Sequence, residues 1–228
     1  FSGGIGAQEP TDAAAHSASE VLALAFANQY ELDMTSRIEL VAQNRSGQEL
    51  RRQFEAASKL IDDRMHSIGW LVSPEYLRGM TILTIEAGDR SHDAFVYLPS
   101  LQRVRRVGTS VRGDSLFGTD VTYEDLERRR VQEYQLNGLR SAVVGNEPAY
   151  LISARPRRDF NYERVVFVVA RSDWVILETR FFKRGEEVPF RVITVSRGAM
   201  VEHDGHVIPT RMTVRNHARG TKTEVTFK

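Results

Sequence analysis

Apolar and polar residues alternate along most of this chain, and the breaks in the alternation carry turn residues. Residues 33–43 set Met34, Ile38, Leu40 and Ala42 on one side and Asp33, Arg37 and Glu39 on the other, the period-two pattern of a half-buried strand. Asn44-Arg45-Ser46-Gly47 is turn chemistry, after which 49–61 resumes with Leu50, Phe54, Ala56 and Leu60 facing the same way. Residues 65–73 repeat the pattern with Ile68, Trp70 and Val72 on one face. Ser73-Pro74-Glu75 then opens a short helix through Met80, capped by Ser73, with Pro74 at its first position. Strands follow at 81–87 and 93–98, joined by a turn at Gly88-Asp89-Arg90.

The second half reads the same way. Strands are expected at 101–107, 131–136, 149–154, 162–170, 174–183, 188–201, 206–216 and 221–227, with turns at Asn137-Gly138 and Asp204-Gly205. The 162–170 strand is apolar on both faces, so it should be covered on both. Helical spacing appears once at length: Ala14, Ala18, Val21, Leu22, Ala25 and Phe26 within 13–30 recur at three and four residues, with Thr11 or Asp12 able to cap. Residues 1–12, rich in Gly and small residues, read as loose. The sum is a mainly β chain of class α+β, about ten or eleven strands pairing with their sequence neighbours. Strands this long favour a large, twisted and strongly curled antiparallel sheet, whose concave face helices or an apolar ligand must fill.

A chain of 228 residues that is 41% hydrophobic can bury a full core as one domain spanning 1–228. Net charge is +1, so no global field argues for nucleic acid or an anionic membrane. Cysteine is absent, which removes disulfides, thiolate nucleophiles and Cys-ligated zinc. No run approaches the ~20 apolar residues of a spanning helix, and the chain is expected to be soluble. The histidines show no metal spacing, with only His203 and His206 three apart across a turn, and there is no GxSxG elbow. Asp120, Glu124 and Asp125 sit at a helix start, which explains acids there without catalysis. No cofactor, metal or enzymatic activity is expected.

The most informative stretch is 97–126, YLPSLQRVRRVGTSVRGDSLFGTDVTYEDL. Pro99 ends one strand, and the next carries Arg103, Arg105 and Arg106. Gly108, Gly113 and Gly118 punctuate a loop holding Arg112, Leu116 and Phe117, and Thr122-x-x-Asp125 starts a helix. Two large apolar side chains in a glycine-rich loop need something to cover. The arginines form a solvated strand face or a docking surface for headgroups or an acidic partner. They lack the aromatic interleaving of single-strand nucleic-acid binders.

This segment resembles the outer-membrane lipoprotein-sorting protein family. These are LolA-like (LolA/LolB-like) periplasmic proteins often found with resistance-nodulation-division exporters, which carry a YLPALKRVRR block and a GSFMGSDFTYEDL-like block. Asp114 and Leu116 depart from that wording, and the likeness extends weakly from Arg45 to Phe227. The resemblance implies an incomplete, strongly curved antiparallel β-barrel, a half β-barrel with helices covering its concave face, in the periplasm, its signal peptide removed before Phe1. It implies a carrier that binds a lipoprotein acyl chain or other lipid in a hydrophobic cavity and passes it to an outer-membrane or exporter partner, touching membranes only transiently. A non-catalytic adaptor docking on such an exporter is the alternative. By strand parity the cavity is expected to use Met34, Ile38, Leu40, Leu50, Phe54, Ile68, Trp70, Met212, Val214 and Val225, with Leu116 and Phe117 as its lid. Arg103, Arg105, Arg106 and Arg112 would dock the partner or a headgroup.

Overall fold

In the computed structural model the chain is described over residues 16–87, 92–158 and 160–228. Its helix, α1 (Ala18–Tyr30), starts where a capping box dictates: the Ser17 hydroxyl accepts from the Glu20 N–H at 3.2 Å, and the Glu20 carboxylate accepts from the Ser17 N–H at 2.6 Å. The expected cap at Thr11 or Asp12, the loose 1–12 segment and Ala14 lie outside the described residues, as does the 88–90 turn. Val21, Leu22, Ala25 and Phe26 are buried, as their spacing required.

Six strands then follow as a meander: β1 (Met34–Gln43), β2 (Glu49–Ile61), β3 (Arg64–Ser73), β4 (Thr81–Glu86), β5 (His92–Leu98) and β6 (Arg103–Arg106). A long connection crosses to a second meander of β7 (Tyr134–Val144), β8 (Glu147–Pro156), β9 (Arg164–Ala170), β10 (Ile176–Phe182) and β11 (Arg191–Val195). A separate hairpin, β12 (Met200–His203) with β13 (His206–Pro209), precedes β14 (Arg211–Asn216) and β15 (Thr221–Phe227). The C-terminal strand joins the halves by pairing with β1, Leu40 opposite Val225. The order is β6-β5-β4-β3-β2-β1-β15-β14-β11-β10-β9-β8-β7, antiparallel throughout, and edges β6 and β7 do not pair, so this sheet is not closed into a barrel.

The fifteen strands among the described residues exceed the expected number. Residues expected as one strand at 188–201 divide at the 196–199 turn, and those at 206–216 divide at Pro209, which has no N–H for the ladder. Asn137-Gly138 is not a turn: it is a bulge inside β7, where the register shifts between Leu136 and Leu139 and Gly138 adopts φ 103°. The hairpin reverses later, at Gly145-Asn146. The helical segment after Ser73 is one 3-10 turn, Glu75–Leu77, preceded by Pro74 in place of a Ser73 cap. The start at Thr122 is likewise a single 3-10 turn, Tyr123–Leu126.

Val165 through Ala170 of β9 are all buried. One face carries Val165, Phe167 and Val169 against α1, while Val168 and Ala170 pack with Ala149, Val175 and Leu177 on the other. The helix therefore fills the inner face over β7 to β10. It does not reach across the strands around β1, and the candidate functional site forms there.

Candidate functional site

Cross-strand pairing fixes what faces inward around β1. One row runs Met34, Ser58, Ser67, Thr84, and the next runs Ser36, Ala56, Gly69, Ile82. Five of the inner positions on β1 to β3 are therefore Ser, Ala or Gly, too short to reach whatever lies above them. Flanking rows are large: Ile38 sits between Phe54 and Phe227, and Leu40, Val225 and Met212 follow one another across β1, β15 and β14. Short side chains ringed by long ones leave a hollow of about 330 Å³. That is the lower end of the volume range of small-molecule sites. Tyr30 and Leu32 at the end of α1, Ile208 and Pro209 of β13, and Leu116, Val121 and Leu126 from the connection after β6 complete its walls.

Nine of the twelve residues expected in the cavity line this hollow: Met34, Ile38, Leu40, Phe54, Ile68, Leu116, Met212, Val214 and Val225. Ile68 only borders it, with 37% of its surface exposed. Trp70 is not there, because the two-residue turn Asp62-Asp63, both at positive φ, locks an even-numbered inner face of β2 to an odd-numbered one on β3. Trp70 consequently stands opposite Glu55, while Met65 and Leu71 are buried inside. Leu50 has the right parity but lies opposite Ala42 near the strand end, beneath Gly118. A Cβ at Gly118, which has φ +82°, would come within 3.1 Å of it. Phe117 does not cap the hollow either. Its ring packs on Phe54 from outside, centroids 5.7 Å apart, and its carbonyl accepts from Arg52 Nε at 3.2 Å.

The connection from β6 to β7 is tied down by buried polar bonds. Asp120 accepts from the Thr221 and Thr223 hydroxyls at 2.5 and 3.0 Å, and its N–H donates to Thr223 Oγ1 at 2.8 Å. Asp125 accepts from the Thr122 N–H and O–H at 2.8 and 2.9 Å and takes a two-pronged pair from Arg191, one contact at 3.1 Å. Burial alone would raise the Asp125 carboxyl, but the Arg191 and Arg129 charges and the Thr122 amide outweigh it and hold the group below its usual range.

Arginine fates differ from expectation. Arg103 and Arg105 on edge strand β6 are exposed and meet no acceptor among the described residues, whereas Arg106 pairs with Asp93, Nε to Oδ1 at 2.9 Å. Arg112 is no surface group: with 12% of its side chain exposed it sits 3.4 Å from Glu127 and donates to the His92 carbonyl. The sequence reading also passed over the buried Arg128 and Arg129. Arg128 joins Glu86 at 3.1 Å and Glu31, while Glu127 holds Arg158 at 2.9 Å. The available signal was EDLERRR itself, where Glu124 and Arg128, and Asp125 and Arg129, alternate in sign at four-residue spacing.

His92 is buried within this network with no hydrogen-bond partner for either ring nitrogen among the described residues. Burial first, then the neighbouring Arg158 and Arg112, lowers it to about 4. Glu127 lies 3.5 Å away but is already engaged by two arginines. In the unfolded chain the imidazole titrates near its ordinary 6.5. Above that pH both states hold it neutral; between 6.5 and 4 the unfolded state alone binds the proton, and stability falls. His92→Gln is therefore expected to lose about 2 kcal/mol less than the parent between pH 7.5 and pH 5 in urea unfolding. Equal losses would contradict the assignment.

A family model whose description reads "Uncharacterized protein" matches residues 65–228. The chain belongs to that family. Its fold is LolA-like, shared with three solved structures. A Vibrio parahaemolyticus protein described as an outer membrane lipoprotein-sorting protein domain superposes with TM-score 0.82 at 19% identity, over 92% of this chain and 89% of that one. A DUF1329 family protein from Desulfovibrio piger gives 0.79 at 24% identity, over 90% and 88%. A LolA superfamily protein from Nitrosomonas europaea gives 0.74 at 19%, over 94% and 92%. The resemblance carried by residues 97–126 is borne out at the level of the LolA-like fold. No curated protein matches.

Proposed function

We propose that this chain is a periplasmic carrier, a single LolA-like domain that takes an acyl chain or similar lipid into the hollow around β1 and passes it to an outer-membrane or exporter partner. The observation that carries the reading is the floor of Ser36, Ala56, Gly69, Ser58 and Ser67 inside an otherwise large-residue wall. A sheet that needed only a core would fill those positions. Here the curvature of an incomplete barrel is left for a guest, and each methylene it buries contributes about 0.8 kcal/mol. The lipoprotein-sorting description of the Vibrio parahaemolyticus structure and the LolA assignment of the Nitrosomonas europaea one support the same class of cargo.

Release requires two states that differ in affinity for the guest. The 108–118 stretch, whose Leu116 closes on Ile82 and Val96, and the end of α1 at Tyr30 are the gate in this reading. Exposed Arg103 and Arg105, beside Val104 at 63% exposure, favour β6 as the place where a partner docks. If docking is the whole function, charge reversal there abolishes partner capture and ligand uptake is irrelevant. The carrier reading is tested by titrating the purified protein with a neutral apolar fluorophore such as N-phenyl-1-naphthylamine. Saturable binding near one site per chain at micromolar concentration is expected, and a signal that rises without saturation overturns it.

A further inference from the structure

At the end of the hollow nearest α1 and β10 the wall changes character, with Tyr30, Asp125, Arg129 and Thr179 among its lining residues. Arg129 is 4% exposed, and its guanidinium, 5.5 Å from the Phe181 ring centroid, has few hydrogen-bond acceptors. Nη1 reaches only two hydroxyls, Tyr134 and Tyr162, each at 3.3 Å. Nη2 lies 3.7 Å from Asp125, beyond hydrogen-bond distance, and Nε, closed off from the hollow, meets no acceptor among the described residues. Asp125 itself is committed to Arg191.

The other nearby acids make no hydrogen bond to Arg129: Glu133 accepts from the Arg130 N–H at 3.2 Å and lies 3.2 Å from Arg158, and Glu124 accepts from the Asn161 N–H at 3.0 Å, so both act on Arg129 through their field alone. Two buried guanidiniums thus share one carboxylate, and the phenols around Arg129 are uncharged at neutral pH. A buried cation with spare donors is costly unless an anion completes it. An arginine fork suits a carboxylate or phosphate.

We propose that Arg129 is the head-group anchor of the hollow, which makes the cargo an anionic amphiphile: an alkyl chain on the Ser36, Ala56, Gly69 floor, ending in a carboxylate or phosphate monoester at Nη2. This rests on the hollow being a ligand site, and it goes further by naming the ligand's charge. Lipids esterified at the head, with no free anion on the chain end, are the poorer cargo.

The test is displacement of bound N-phenyl-1-naphthylamine by palmitate, hexadecyl phosphate and hexadecanol, which share chain length and differ in head. Either or both anions should displace the dye at a concentration at least tenfold below that of hexadecanol, and their ratio tells carboxylate from phosphate. In Arg129→Gln the three should fall within about threefold of one another, while Arg103→Gln on the surface keeps the parent's ranking. Equal potency of all three on the parent protein overturns the anchor and leaves the hollow intact as a neutral site. No dye binding at all removes the carrier reading itself. Should Arg129→Gln fail to fold, palmitate bearing a diazirine beside its carboxylate decides on the parent protein. Label on Tyr30 or residues 125–134 supports the anchor, and label confined to other peptides contradicts it.

Discussion

Arg191→Met is expected to lower the folding free energy by about 3 to 5 kcal/mol, the largest effect of any single substitution outside the apolar core. Arg191 projects from β11 with 5% of its surface exposed, holds both oxygens of Asp125, donates to the Asp120 carbonyl at 3.1 Å and lies over the Phe181 ring at 4.9 Å. Methionine keeps the packing and removes the charge. Asp125 is then left buried with Arg129 at 3.7 Å as its remaining cation, and Asp120 loses one of the bonds that fasten the connection to the sheet. A buried carboxylate left with no arginine within hydrogen-bond distance is what makes the loss large.

The pair is separable from the cost of breaking it. Asp125→Asn keeps an acceptor for the Thr122 N–H and O–H while removing the charge, so the double variant Arg191→Met with Asp125→Asn should recover much of the loss. The measurement is urea unfolding of the four proteins, read as shifts in midpoint at constant slope. A single-variant loss under about 1 kcal/mol, the scale of exposed pairs, would mean that water reaches Asp125 and that the connection is not anchored as described.

How far the sequence exposed this architecture varied with how local the information was. Alternation in 33–43 and 49–61 gave β1 and β2 almost to the residue, and same-parity Val225 and Leu40 do face each other although 185 positions apart. Trp70 was misplaced because the even-numbered inner parity of β2 was carried onto β3, whereas the two-residue Asp62-Asp63 turn switches it to odd. The Gly138 bulge was read as a turn because glycine at positive φ serves both. Arg112 was grouped with the exposed arginines of β6, and Arg128 and Arg129 were passed over. Their burial depends on Glu86, Glu127 and Asp125 arriving from separate segments, and pairing of that kind leaves little trace in the local sequence.

The floor of the hollow was hidden for a different reason. A search for large apolar positions finds its rim, Ile38, Phe54 and Met212, but the space itself is made by what is missing at Ser36, Ala56 and Gly69. Three modest residues far apart in sequence become one bare patch only once the register aligns them.

That patch can be filled from inside. Ala56 has Ser36 on one side and Gly69 on the other, and a Cβ at Gly69 would already lie 3.9 Å from the Ala56 Cβ, so the site is open above rather than crowded. A phenylalanine ring at position 56 can lie over Gly69 and occupy the floor of the 330 Å³ hollow. Packing into space that is already there should change stability by no more than about 1 to 2 kcal/mol, less than the penalty of forcing a ring into a filled core. Ligand uptake should suffer far more, since the guest and the ring claim the same volume. Val143→Phe, at a position 68% exposed, serves as the control that adds the same ring elsewhere.

The decisive measurement is the N-phenyl-1-naphthylamine affinity of Ala56→Phe beside the parent and Val143→Phe, each shown by urea unfolding to be folded. A hollow that works by keeping its floor bare predicts at least a tenfold loss of affinity in Ala56→Phe and none in Val143→Phe. Undiminished binding by a folded Ala56→Phe protein would place the ligand elsewhere on the molecule and contradict the account.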